Sequence, residues 1–154
     1  MSPTTPYCHA ETGFVTRVTG LATYVIPKID VQLSGTFRSD QGAPLAANYS
    51  VTNAIANQGP QPLGRNLAGV NFVTVNLIPP GSLYGDRVNE VDIRIAKILK
   101  FGRTRTNVGL DFYNVLNSNP ALTYNPAYNP TTPFPRPTGV LQPRFVKFSA
   151  QFDF

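Results

Sequence analysis

Alternation with a period of two is the dominant pattern in this chain. In residues 144–154, Arg144, Val146, Phe148, Ala150, Phe152 and Phe154 occupy even positions, and Phe145, Lys147, Ser149, Gln151 and Asp153 occupy odd ones, so that all but the two entry residues sort into an apolar and a polar set. Successive side chains of a strand point to opposite faces, so this run predicts a strand with one apolar and one polar face. Residues 29–37 set Ile29, Val31, Leu33, Gly35 and Phe37 against Asp30, Gln32, Ser34 and Thr36. Residues 89–101 set Val91, Ile93, Ile95, Leu99 and Phe101, interrupted by Lys97, against Glu90, Asp92, Arg94, Ala96, Ile98 and Lys100. In residues 104–112, Thr106, Val108, Leu110 and Phe112 oppose Arg105, Asn107, Gly109 and Asp111. Residues 14–26 are blurrier, with Val18, Ala22, Tyr24 and Ile26 opposite Arg17, Thr19 and Thr23.

The connections between these segments alternate in length. Pro27-Lys28 and Gly102-Arg103 predict tight turns, whereas residues 40–88 and 114–143 predict long loops. The first long loop has room for a hairpin of its own (45–52 with 71–78). The second carries a short tandem repeat, Tyr124-Asn125-Pro126-Ala127 followed by Tyr128-Asn129-Pro130. Tight turns on one edge and long loops on the other form the pattern of bacterial outer-membrane barrels. The expected fold is therefore all-β: an antiparallel up-and-down meander, an incomplete section of a transmembrane β-barrel with about five spanning strands.

Composition agrees with an all-β chain. Hydrophobic residues make up 42% and charged residues 14%, against about 25% charged in average soluble proteins. Thr, Asn, Gln, Ser and Tyr replace the charge, with 15 Pro and 12 Gly as punctuation, a mixture that favours strands and turns over helices. The formal charge of +5 raises nucleic-acid binding. That function needs a basic patch or stripe, and here the signs interleave along the strands, which argues against it.

The single Cys8 cannot form an internal disulfide; it is a spare thiol, or its partner lies upstream. With His9 it is too little for a metal site. No apolar run approaches the roughly 18 residues of a membrane helix. Met1 is followed by no basic start or apolar core, so an export signal, if there is one, is expected upstream.

A half-buried strand of a soluble sandwich also alternates, so three further features decide between the two. Each strand can supply the roughly 9–11 residues that cross a bilayer at a tilt. Aromatic residues sit near strand ends: Phe14, Phe37, Phe112 and Phe145 by the long loops, and Tyr24, Phe101, Phe152 and Phe154 by the tight turns. Such girdles are expected at lipid headgroups. Arg17, Asp30, Arg94, Asp111 and Lys147 place full charges mid-strand on the polar face, which a polar barrel interior tolerates. Five strands cannot close, since the smallest bacterial barrels have about 8. Partner chains or upstream sequence are expected to supply the rest. The rival readings are a stand-alone extracytoplasmic β-sandwich for binding or adhesion, and a small barrel that closes by oligomerising.

Four segments carry a family resemblance. They are Tyr84-Gly-Asp-Arg-Val-Asn-Glu-Val-Asp-Ile-Arg-Ile-Ala-Lys97, the turn Phe101-Gly-Arg-Thr104, the run Gly109-Leu-Asp-Phe-Tyr-Asn-Val-Leu-Asn117, and the final Arg144-Phe-Val-Lys-Phe-Ser-Ala-Gln-Phe-Asp-Phe154. Together they resemble the last three strands of TonB-dependent outer-membrane receptors, most closely those with an N-terminal carboxypeptidase-regulatory-like domain. The resemblance covers residues 83–154 and thins before them. It implies a barrel of about 22 strands with an internal plug, in the outer membrane of a Gram-negative bacterium, admitting a bulky nutrient. The implied partners are outer-membrane lipid, the barrel-assembly machinery, the rest of the receptor barrel and its plug. An energy-transducing inner-membrane complex would engage only the part upstream. In such proteins terminal aromatics matching Phe148, Phe152 and Phe154 form the signal read during barrel assembly.

No catalytic constellation is legible, and neither enzymatic activity nor a cofactor is expected. Glu90 and Asp92 share a strand face, yet Arg94 continues that face, so a charge network is the simpler reading. The Gly-Pro-rich stretch at 59–64 lacks the Gly-Lys-Ser/Thr of a phosphate loop. Tyr124, Asn125, Tyr128 and Asn129 offer rings and amides suited to a sugar or peptide in an outer loop. The plainer reading, and the favoured one, is a Pro-stiffened loop that shields the barrel mouth.

Overall fold

The computed structural model describes residues 13–153. The elements in chain order are β1 (Val18–Ile26), β2 (Val31–Asp40), β3 (Asn48–Thr52), α1 (Asn53–Ala56), β4 (Phe72–Asn76), β5 (Val88–Phe101), β6 (Thr104–Tyr113), β7 (Ala121–Asn125), β8 (Ala127–Tyr128), β9 (Arg136–Val140) and β10 (Phe145–Asp153). The chain is all-β with antiparallel sheets. It divides into two compact units. One comprises Thr16–Gly42, Asp86–Pro120 and the residues from Val140 onward; the other is drawn chiefly from Ala43–Gly85 and Ala121–Gly139.

The first unit is a five-stranded sheet in the order β1-β2-β5-β6-β10, every neighbouring pair antiparallel. These are the five long strands that the alternation predicts, in the meander order. They run 9, 10, 14, 10 and 9 residues, longer than the usual soluble strand of about 5–6. Only β1 and β10 lack a neighbour on one side among the described residues.

Register places like with like across the sheet. In an antiparallel pair, directly opposed residues share a face. One row runs Ala22–Gly35–Ile93–Phe112–Val146, and the next runs Tyr24–Leu33–Ile95–Leu110–Phe148. The apolar sets therefore fall on one common face, as a single residue's slip at any pair would have prevented.

The strand ends differ from expectation. β1 begins at Val18, so Phe14 lies outside any strand. The first tight turn holds four residues, Pro27 to Asp30, because Ile26 pairs with Val31. Ile29 and Asp30 thus belong to the turn, where Lys28 and Asp30 take φ of +76° and +48°. The second turn has two residues, and Gly102, first of them, takes φ +58°. A two-residue hairpin turn of the primed type demands such a φ, which glycine adopts without penalty.

The second unit holds the hairpin expected within the first long loop. β3 pairs with β4 from Asn48↔Asn76 to Thr52↔Phe72. β8 adds in parallel on the other side of β3. α1 is a single turn whose N-cap Thr52 side chain accepts the Ile55 N–H. Neither α1 nor the β7-β9 pair is foreshadowed by the alternation. Both are short, and two to five residues cannot display a period.

Candidate functional site

One face of the five-stranded sheet is apolar and largely exposed. On its apolar face, Tyr24, Phe101, Phe148 and Phe152 are 63%, 65%, 69% and 60% exposed, and Leu33, Phe37, Ile95 and Leu110 are also exposed. On its polar face Asp111 keeps only 5% of its surface, whereas Arg17 and Lys100 are largely exposed. β1 departs from the rule, because Leu21 and Val25 lie exposed on the polar face.

Polar-face charges pair because register sets them opposite one another. Arg94 faces Asp111, and the guanidinium reaches its carboxylate at 3.1 Å. Arg38 faces Glu90 at 2.9 Å and also approaches Asp40 at 3.6 Å, which Arg17 meets at 3.0 Å. Asp92 accepts the Asn114 N–H at 2.9 Å and the Thr36 hydroxyl at 3.4 Å. The Glu90–Asp92–Arg94 face is thus a network in which each carboxylate has its own partner. A small cleft of about 230 Å³ opens beside Thr36, Asp92, Arg94 and Asp111. Gly109 allows close packing next to Arg94, since a Cβ on it would sit 3.2 Å from the Ala96 Cβ and 3.3 Å from the Arg94 guanidinium.

Polar rows bound the apolar face at both ends. Towards the long loops, the Ser39 hydroxyl donates to Asn89 at 2.6 Å. Arg87 donates to the Ser39 hydroxyl and carbonyl, and to the Thr16 hydroxyl and carbonyl, at 2.8–3.1 Å. Towards the tight turns, Lys97 interrupts the apolar set level with Ile26 and Val31, and its ammonium donates to the Ile29 carbonyl.

Comparison of this chain with protein-family models, with curated proteins and with solved structures finds no match.

Of the aromatics proposed as an assembly signal, Phe148 and Phe152 lie on the apolar face of β10 and are exposed. Phe154, Cys8 and His9 lie outside the described residues. Phe37 and Phe112 sit on the apolar face near the long-loop ends, while Tyr24, Phe101 and Phe152 sit on it near the turns. Phe145 does not join that girdle. Its register partner is Tyr113 on the polar face, and the two rings stack at 4.6 Å and 12°.

The four loop residues are already engaged. Asn125 Oδ1 accepts the Ala127 N–H at 2.8 Å, and Asn129 Oδ1 accepts the Thr131 N–H at 3.0 Å. These side chains are closing Asx turns, the local role that Asn-Pro segments favour. The Tyr128 ring stands edge-on between Tyr49 and Phe134, 5.9 Å from each. Tyr124 lies over Gly85, where an added Cβ would come within 2.3 Å of its hydroxyl oxygen. Sequence alternation missed Tyr49 and Gly85, whose partners are distant along the chain, and Phe134, which lies in no strand. Gly85→Ala is expected to turn the Tyr124 ring outward, raising its nitration by tetranitromethane as read by mass spectrometry. Unchanged nitration would mean that the glycine does not hold the ring.

Proposed function

We propose that this chain supplies the C-terminal strands of an outer-membrane β-barrel, that of a TonB-dependent transport receptor for a bulky nutrient. The observation that carries the reading is the five-stranded sheet with its apolar face exposed and its polar face ion-paired. A large apolar side chain left in water forgoes about 1.5–3 kcal/mol of burial, and contiguous exposed apolar surface marks a membrane or partner interface. Lipid satisfies the outward face, and a polar barrel interior accommodates Arg94, Asp111 and their neighbours. The unpaired edges of β1 and β10 fit the same reading, because in lipid every strand edge must pair. The rest of the barrel would provide the pairing strands, and a plug would meet the polar face. An inner-membrane energy-transducing complex would act only through the remainder of the receptor.

Orientation follows from the connections. Tight turns face the periplasm and long loops face outward, which puts Tyr124, Asn125, Tyr128 and Asn129 outside the cell. Their engagement in turns and ring contacts supports the shielding role over direct ligand binding. Phe148 and Phe152, facing lipid, would also serve as the aromatics read by the barrel-assembly machinery. A stand-alone sandwich module is disfavoured, because such a fold places its apolar sheet faces inward.

An antibody against loop 124–135, used on fractions of source cells, tests the proposal. A band several times heavier than 16.8 kDa in the outer membrane is the expected result. A band at 16.8 kDa in a soluble fraction would replace this reading with the binding module.

A further inference from the structure

A groove on the apolar face of the sheet has the polarity of an amphiphile. Ile93 and Ile95 of β5, Phe112 of β6 and Val146 of β10 line its length, and Val115 and Arg144 lie at its long-loop end. Its volume is about 630 Å³. Ile93, Phe112 and Val146 form one row of the sheet. Arg144 stands two residues before Val146 in the chain, on the loop side of that row.

Arg144, like Arg87 and Lys97, has no carboxylate partner among the described residues, but unlike them it borders the apolar groove. Arg17, Arg38, Arg94 and Lys100 each meet a carboxylate within 4 Å. Among the described residues, none does so at Arg144. Its Nη1 makes one long bond, 3.4 Å, to the Val115 carbonyl, and its backbone N–H donates to Asn117 Oδ1 at 3.1 Å. A guanidinium carries five N–H donors, so most of its capacity points to a further acceptor. Planar, bidentate donation of that kind suits a phosphate.

We propose that Arg144 and the groove below it hold a phosphorylated lipid of the leaflet on the long-loop side, acyl chain along Phe112 and phosphate at the guanidinium. This rests on the membrane reading above. Charge complementarity selects the headgroup, and the continuity of the groove with the exposed apolar face selects a lipid over a soluble anion.

The test uses the intact protein extracted from membranes in detergent, with bound lipid counted by native mass spectrometry. Dioleoyl phosphatidic acid and dioleoyl phosphatidylcholine are the probes. The wild type is expected to retain the phosphatidic acid preferentially. Arg144→Gln is expected to lose that preference by about tenfold, the equivalent of about 1.4 kcal/mol. Arg144→Lys is expected to keep part of it, as a point charge without the fork. Equal preference in the wild type and Arg144→Gln overturns the proposal, as does full displacement of phosphatidic acid by millimolar inorganic phosphate. Membrane integration of each variant, read with the loop antibody, separates the two ideas. A variant that integrates but keeps its preference defeats only the lipid site, whereas a wild type absent from membranes defeats the receptor reading and the lipid site with it.

Discussion

Leu110→Arg is expected to abolish stable membrane integration, while Thr36→Arg leaves it intact. Leu110 lies on the exposed apolar face, in the row Tyr24–Leu33–Ile95–Leu110–Phe148. An arginine facing lipid near the bilayer centre costs about 2–4 kcal/mol, and stabilities of whole domains amount to only about 5–15 kcal/mol. Thr36 lies on the opposite face, and its hydroxyl already donates to Asp92 at 3.4 Å. An arginine there gains a carboxylate neighbour in a polar setting. The measurement is the carbonate-resistant membrane fraction of the intact protein carrying either substitution. Equal tolerance of both, or equal loss, would show that the two faces do not meet different solvents, and the barrel reading would go with it. The contrast is informative because both changes add the same side chain to the same sheet.

Asn114→Ala is expected to be the most destabilising change at the long-loop rim. Asn114 is 2% exposed and takes φ +48° just after β6. Its Nδ2 donates to the carbonyls of Ser118 and Gln142 at 2.8 and 2.7 Å, and its Oδ1 accepts the Ser118 N–H at 3.0 Å. Its own N–H is held by Asp92, and the next residue's N–H bonds to the Val91 carbonyl at 2.8 Å. One side chain thus ties the exit of β6 to the approach to β10, and its backbone ties both to β5. Alanine leaves these buried groups unsatisfied, at about 1–3 kcal/mol for each group that finds no substitute, and adds about 1 kcal/mol for a left-handed φ that asparagine tolerates better. Asn114→Gly restores the backbone freedom without the bonds, so it should fall between wild type and alanine. Urea midpoints of the micelle-embedded protein give the comparison. A loss under about 0.5 kcal/mol for alanine, within the range of ordinary surface substitutions, would mean that the knot does not hold the rim.

The two predictions probe different levels of legibility. Period-two alternation reveals the five long strands because each strand has one apolar face, and that signal is local. It also marks Lys97 as an exception on the apolar face of β5. The aromatic-Asn-x-x-Asn element at Tyr113 to Asn117 was visible as a motif, yet its work was not. Asn114 bonds to Gln142, and Asn117 to the Arg144 N–H, residues 28 and 27 positions away. Phe145 joins the two levels: its odd position sets it opposite the apolar face of β10, against the girdle its place at a strand end suggested, and register supplies Tyr113 as its stacking partner.

By itself the sequence determined the five long strands, the tight connections that follow β1 and β5, and which residues share a face, because side-chain direction in a strand depends only on its own alternation. Tertiary structure decided everything that depends on register between strands. It set Arg94 against Asp111, Arg38 against Glu90 and Tyr113 against Phe145. It drew the Asn114 knot together, set Tyr124 over Gly85 and brought Tyr128 against Tyr49. It also decided which face was left uncovered. Alternation is identical for a strand in water and a strand in lipid; that one face of the assembled sheet carries paired charges and the other exposed phenylalanines depends on how the strands come together.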